Sequence, residues 1–184
     1  MQTFKHPHTI ESGGEKLTFT GITRDERGEV LEVENEVSPG AGPPMHVHHR
    51  QHEAITVIEG RAGWKGLDGI EHFAEAGETM SFAPGEVHKF WNAGDGPLRG
   101  KGEIWPPDNI EYFLTEIYES SNRNGGERPG PFDAAFLTTR YRTEFEMLEI
   151  PAPVRKLLMP VLYRLGGLLG KHKRFADAPE PVRA

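Results

Sequence analysis

The chain has 184 residues, with 21 Lys and Arg against 28 Asp and Glu, a formal net charge of −7 at pH 7. That length suffices for one domain with a real core, and the acidic balance argues against a nucleic-acid partner, which needs clustered lysine and arginine. Cysteine is absent, which excludes disulfides, thiolate metal sites and a cysteine nucleophile, while 22 glycines and 15 prolines suit a turn-rich β-protein.

The first residues carry no apolar stretch of the secretory type. No run approaches the length of a transmembrane helix. The expectation is therefore a soluble, cytoplasmic protein. Residues 1–14 read as an irregular arm ending at Gly13 and Gly14. His6 and His8, with Pro7 between them, read as solvated rather than ligating. Residues 16–23 and 29–37 alternate and predict two strands. In the second, Leu31, Val33, Asn35 and Val37 share one face and Glu32, Glu34 and Glu36 the other, a half-buried strand with a wet acidic side.

A loop of glycine and proline, residues 38–44, leads into the densest stretch of the chain. Four of the nine histidines fall between His46 and His52, followed by Glu53 and a β-branched run to Ile58 that ends at Gly60. If 45–48 is extended, His46 and His48 point to one side, because side chains alternate with period two. Two imidazoles on one face can close on a single cation, and Glu53 at the start of the next strand can add an oxygen. Such a set suits Zn, Fe, Mn, Ni or Cu. Periodicity leaves the register of 52–58 open. With Glu53 inward, Ile55 and Val57 follow; with His52 inward, Ala54 and Ile58 do.

Residues 61–67 predict the return strand of a hairpin. Asp68 and Gly69 signal a tight turn, and 70–73 another strand. His72 lies there and reads as a surface or core histidine. Residues 79–82 and 87–92 predict strands, with Pro84 and Gly85 turning the chain so that His88, Phe90 and Asn92 share a face. Residues 98–105 are the last strand. Eight to ten short strands suit a small barrel or jelly roll.

These two stretches resemble the two motif regions of the cupin superfamily. Gly40, His46, His48, Glu53 and Gly60 fit G-x5-H-x-H-x4-E-x6-G without a gap. Gly77, Gly85, His88 and Asn92 fit G-x5-P-x-G-x2-H-x3-N, except that Ala83 stands at the proline place and Pro84 follows it. The resemblance covers about residues 25–106. It implies a mainly β fold, a small cupin β-barrel of jelly-roll type with a metal inside. It favours Glu53 inward, and it carries over His46, His48, Glu53 and His88 as ligands of one divalent transition metal (Fe, Mn, Ni or Zn). Glu53 is also the candidate catalytic base. His49 and His52 read as surface or rim residues. Phe82, Phe90, Trp91 and Trp105 are candidates for an aromatic wall. An octahedral ion held by four residues keeps two positions open, whereas tetrahedral zinc is nearly closed. Cupins include dioxygenases, isomerases, decarboxylases, sugar-binding regulators and storage proteins. With one pair of motifs and no DNA-binding segment, the expectation is a metal-dependent oxidoreductase of dioxygenase type on a small oxygen-bearing molecule. The alternatives are a non-catalytic metal-mediated binding protein and a metal-dependent isomerase or lyase.

After Pro106 and Pro107 the period changes. Asp108 or Asn109 is a candidate N-cap, and Ile110, Phe113, Leu114 and Ile117 predict a helix over 109–121. Asp133 is read as the cap of a second helix, 134–149. A third runs from near Pro153 to about Leu169, bent at Pro160 and weakened at Gly166 and Gly167. Its leucines and the basic residues 171–174 allow two readings: packing on the barrel or a partner subunit, which such stripes more often mean, or a membrane surface. Residues 175–184 read as a frayed tail. The chain thus divides into a β-barrel domain, 1–107, and a helical extension of about three helices, 108–184. An open barrel edge and the leucine stripe both predict a homodimer.

Overall fold

The computed structural model describes residues 4–126 and 128–183. The chain is mainly β. Eleven strands are followed or interrupted by three α-helices near the C-terminus: β1 (His8–Ser12), β2 (Glu15–Asp25), β3 (Gly28–Val37), β4 (His46–His48), β5 (His52–Glu59), β6 (Arg61–Lys65), β7 (His72–Glu75), β8 (Thr79–Phe82), β9 (Val87–Asn92), β10 (Leu98–Trp105), α1 (Ile110–Arg123), α2 (Pro131–Arg140), β11 (Phe145–Met147) and α3 (Met159–Leu168). They form two antiparallel sheets, ordered β1-β2-β3-β10-β5-β8 and β11-β4-β9-β6-β7.

The alternation read along β3 is the alternation observed. Leu31, Val33, Asn35 and Val37 are buried, while Glu34 and Glu36 are exposed. The acidic side is partly balanced across the ladder, where Glu34 faces Lys101 and Glu36 accepts a hydrogen bond from Arg99 at 3.0 Å. Opposite charges directly across an antiparallel pair stabilise by a few tenths of a kcal/mol, roughly. The inner face of the six-stranded sheet has two kinds of cover. Val37, Ile55, Val57, Met80, Phe82 and Leu98 meet Ala62, Ala74 and Phe90 of the second sheet. Leu17, Phe19, Leu31, Val33 and Ile104 instead meet Ile110, Phe113 and Tyr118 of α1 and Phe136 and Leu137 of α2. The helices therefore replace a sheet layer where the five-stranded sheet runs out.

The structure differs from expectation in four places, three of them in the extension. First, α2 begins at Pro131 and ends at Arg140, not at 149. Asp133 does not cap it; its carboxylate accepts from Ser120 Oγ at 2.7 Å. The chain then turns, and β11 adds to the edge of β4 with Phe145 opposite His48 and Met147 opposite His46. An unpaired edge on β4 would leave a row of backbone donors and acceptors open, and β11 satisfies it. Second, Asn109 stands at the N-cap of α1 as expected, but its side chain makes no cap hydrogen bond. Its amide donates to Glu144 Oε1 at 2.9 Å and to the Glu180 carbonyl at 3.0 Å.

Third, the tail is held. Phe175 is buried and stacks on Phe136 at 4.1 Å, Tyr141 donates to the Pro179 carbonyl at 2.9 Å, and the Val182 N–H donates to Glu144 Oε1 at 2.9 Å. Fourth, His8–Ser12 form β1, and His6 and His8 both reach the Glu111 carboxylate at 3.0 Å.

The third helix starts as expected near Pro153, but its first turn, Val154–Leu158, is π-helical. Pro160 lacks an N–H and crowds the carbonyl four residues back, so a wider turn before it relieves the clash. Gly166 is a close-approach site rather than a weak point. A Cβ there would stand 2.5 Å from His172 Nε2 and 3.2 Å from Phe132 Cδ1.

Candidate metal centre

Two turns bring the candidate ligands together. Gly85 follows Pro84 with φ +82°, a left-handed conformation that favours glycine. Its N–H donates to the His48 carbonyl at 2.7 Å, tying the turn before His88 to the strand of His46 and His48. The pairing of β4 with β9 then sets His46 directly opposite His88. Glu53 enters from the other sheet, on β5, where it pairs with Phe82 of β8. The ring of Phe82 lies flat on the ring of His88, 3.8 Å apart and 1° from parallel. Register, not chain proximity, closes the set.

One ligand atom from each of His46, His48, Glu53 and His88 lies within 4.8 Å of every other. Glu53 Oε2 stands 3.1 Å from His88 Nε2 and 3.4 Å from His48 Nε2. Two atoms each about 2.1 Å from one ion, at angles between square and tetrahedral, are about 3.0–3.4 Å apart. The observed separations are those of neighbouring ligands around a common ion. The distal ring nitrogens support this. Nδ1 of His46 meets the Pro44 carbonyl at 2.7 Å, and Nδ1 of His88 meets the Glu86 carbonyl at 3.0 Å. A proton held there leaves the Nε2 lone pair facing the cluster, the usual arrangement behind a ligating histidine. Nδ1 of His48 is buried without a partner among the described residues.

Burial decides the charges. Burial first, then the neighbouring His48 and His88, holds His46 down to about 3. Burial also lowers His48. Burial alone would raise Glu53, but its close contact with His88 Nε2 and the three imidazoles around it outweigh this and bring it to about 2. Near neutrality His46 and His48 are held neutral and Glu53 is a carboxylate, and among the described residues no lysine or arginine is paired with Glu53. A buried anion without a cation is costly. A divalent ion removes that cost, so the residues present fit one.

The remaining sequence candidates separate clearly. Phe82 and Phe90 are buried on the inner faces. Trp105 lies on the outer side, stacked on His52 at 5.1 Å with Arg27 over its ring, and Trp91 sits by Lys65. His49 stands half-exposed, 3.7 Å from Glu146, and His72 stacks on Trp64. Two residues escaped the sequence reading. Phe145 packs edge-on against His48 with ring centres 5.7 Å apart, and its three-residue strand is too short to carry a sequence signal. Gln51, of the same parity as Glu53, is fully buried, with its Oε1 unpartnered among the described residues.

Residues 33–105 match the family model described as "Cupin domain". No curated protein matches the chain. Among solved structures, it is similar to an uncharacterized conserved protein with a double-stranded beta-helix domain from Klebsiella pneumoniae, at 25% identity and TM-score 0.44, covering 56% of this chain and 82% of that one. It is similar to a sugar phosphate isomerase of the cupin superfamily from Silicibacter pomeroyi at 22% identity and TM-score 0.42, covering 50% and 59%. It is also similar to a predicted oxalate decarboxylase from Thermotoga maritima at 18% identity and TM-score 0.44, covering 53% and 90%. The double-motif spacing, the facing antiparallel sheets and the match over 33–105 agree: residues 33–105 form a cupin domain.

Proposed function

We propose that His46, His48, Glu53 and His88 hold one divalent first-row ion, and that the protein is a metal-dependent oxidoreductase of dioxygenase type acting on a small oxygen-bearing molecule. The observation that carries the reading is the gathering of three imidazole nitrogens and one carboxylate oxygen within 4.8 Å. When bound, such an ion supplies Lewis-acid or redox chemistry toward a small oxygen ligand. The chain's own part is to fix and shield. Glu53 holds the compensating negative charge. A carboxyl at about 2 is a poor proton acceptor near neutrality, so its charge favours the ligand role over that of a base. Phe82, Phe90 and Phe145 keep the surroundings apolar, as suits a small-molecule pocket. In this reading residues 1–107 are the metal-bearing domain of a cytoplasmic protein and 108–184 its helical extension.

The cobalt-substituted protein, titrated with a small 2-oxo acid, is expected to change its visible spectrum. An unchanged spectrum at millimolar ligand would make the ion structural. Oxygen uptake with an enolic or aromatic substrate then supports the dioxygenase reading. Conversion without oxygen uptake would support an isomerase or lyase, and binding without conversion a ligand-binding protein.

We further propose a homodimer through the edge of the five-stranded sheet, where Leu67, Ile70 and Phe73 are exposed beside β7. Light scattering at micromolar concentration is expected to give twice the chain mass. A monomer would end the proposal, and so would a dimer that survives Ile70→Lys/Phe73→Lys.

A further inference from the structure

The third helix is held on one side and bare on the other. Tyr163 stacks on Phe136 at 5.8 Å, and Gly166 closes on Phe132 and His172. At its root Arg155 Nε meets Glu146 Oε1 at 2.6 Å. Leu157, Val161, Leu165 and Leu168, spaced i, i+4, i+8 and i+11, point away from that anchor together with Leu158 and Leu169, and all six are exposed. Leu168 keeps 84% of its surface in solvent. So large an apolar stripe on a fixed helix calls for a covering surface.

Charge selects that surface. Between Pro151 and Ala176 the chain carries six basic residues and no Asp or Glu, although its net charge is −7. Arg155 is neutralised by Glu146, and Arg174 by Asp133 and Glu116. Lys156, Arg164, Lys171 and Lys173 are exposed, with no carboxylate partner among the described residues. A second copy set face to face would oppose these cations with the same cations, which works against an isologous contact. A nucleic acid would answer the charge but offers the leucines no apolar layer. An anionic lipid surface answers both: headgroups for the lysines and arginine, and the acyl boundary for the leucines.

We propose that this face of the helical extension docks the protein on an anionic membrane surface, lying in the interface with the cupin domain outside. Among the described residues no helix is long and apolar enough to cross a membrane, and the proposed contact is peripheral. The arrangement matches the anionic cytoplasmic leaflet.

The test is co-sedimentation of the full chain with vesicles of phosphatidylcholine, with and without about a third phosphatidylserine, at low and high salt. Binding to the anionic vesicles is expected, and it should weaken as salt rises. Each of Lys156→Gln, Arg164→Gln, Lys171→Gln and Lys173→Gln should weaken it roughly fivefold. Leu165→Glu/Leu168→Glu should abolish it, with unchanged circular dichroism showing that the helix persists. All of these residues are exposed, so the fold does not depend on them. Absence of binding to anionic vesicles at low salt overturns the proposal, as does equal binding to pure phosphatidylcholine. So does a chain that ignores both vesicles yet falls from dimer to monomer on Leu165→Glu/Leu168→Glu, which would make the face a contact between copies.

Discussion

Replacing His48 and His88 together by alanine is expected to abolish stoichiometric metal, while His6→Ala and His72→Ala leave it intact. Both lost imidazoles flank Glu53 Oε2, at 3.4 and 3.1 Å. Their removal leaves His46 and a buried carboxylate, too few donors for a tight site. Elemental analysis of protein purified without a metal-affinity tag reads the result. One ion per chain in the double variant would show that the assignment is wrong. The wild-type centre should also release its ion on acidification, because protons compete for the same lone pairs.

The sign for the metal-free fold follows from the same groups. His46 lies below its ordinary value when folded, at about 3. The unfolded chain therefore binds more protons between about 6.5 and 3. Stability is present above that window and is lost as the pH falls through it, by roughly 1 kcal/mol per pH unit for such a group. Glu53, also lowered, adds a loss in the same direction at lower pH, as the solution passes from its unfolded value toward about 2.

Phe82→Ala is expected to cost about 3–5 kcal/mol of stability, the range for removing a large ring from a close-packed core. Phe82 is 1% exposed, pairs across the sheet with Glu53 and lies flat on His88. Phe82→Leu separates packing from ring contact. It keeps most of the volume and should cost under about 1.5 kcal/mol, yet it loses the stacked face that orients His88. Denaturant unfolding gives the first number and metal titration the second. Wild-type metal affinity in Phe82→Leu would show that the stack does not position the ligand, and Phe82→Ala within about 1 kcal/mol of wild type would show that this core position yields freely.

Strands β2 and β3 were legible because each is half-buried, and half-burial writes a period of two into the residues; the later strands were legible as short apolar runs set between glycine and proline turns. The third helix was legible for the matching reason: its apolar stripe repeats with helical spacing. The elements that were misread lack such a period. β11 spans three residues, too few to show alternation against the helical pattern expected over 134–149. The tail after Phe175 has no regular structure to announce. It is held by single contacts, such as Tyr141 to the Pro179 carbonyl and Val182 to Glu144. The arm at His6 and His8 looked solvated because Glu111, its partner, lies over a hundred residues away.

The same division runs through the candidate metal centre. By itself, the sequence determined the donor types and the shared face of His46 and His48, since alternation along one strand needs nothing beyond that strand. The motif resemblance pointed to Glu53 over His52, a choice that apolarity alone left open. Only the tertiary structure decided that Glu53 crosses from one sheet to three histidines on the other, and that Phe82 and Phe145 flank them. Those are facts of register and of a strand returning from the far end of the chain. The leucine face of α3 divides likewise. Its composition was plain, but whether it meets the core depended on which side of the helix α2 occupies. Phe132 and Phe136 take the side of Tyr163 and Gly166, and the leucines are left in solvent.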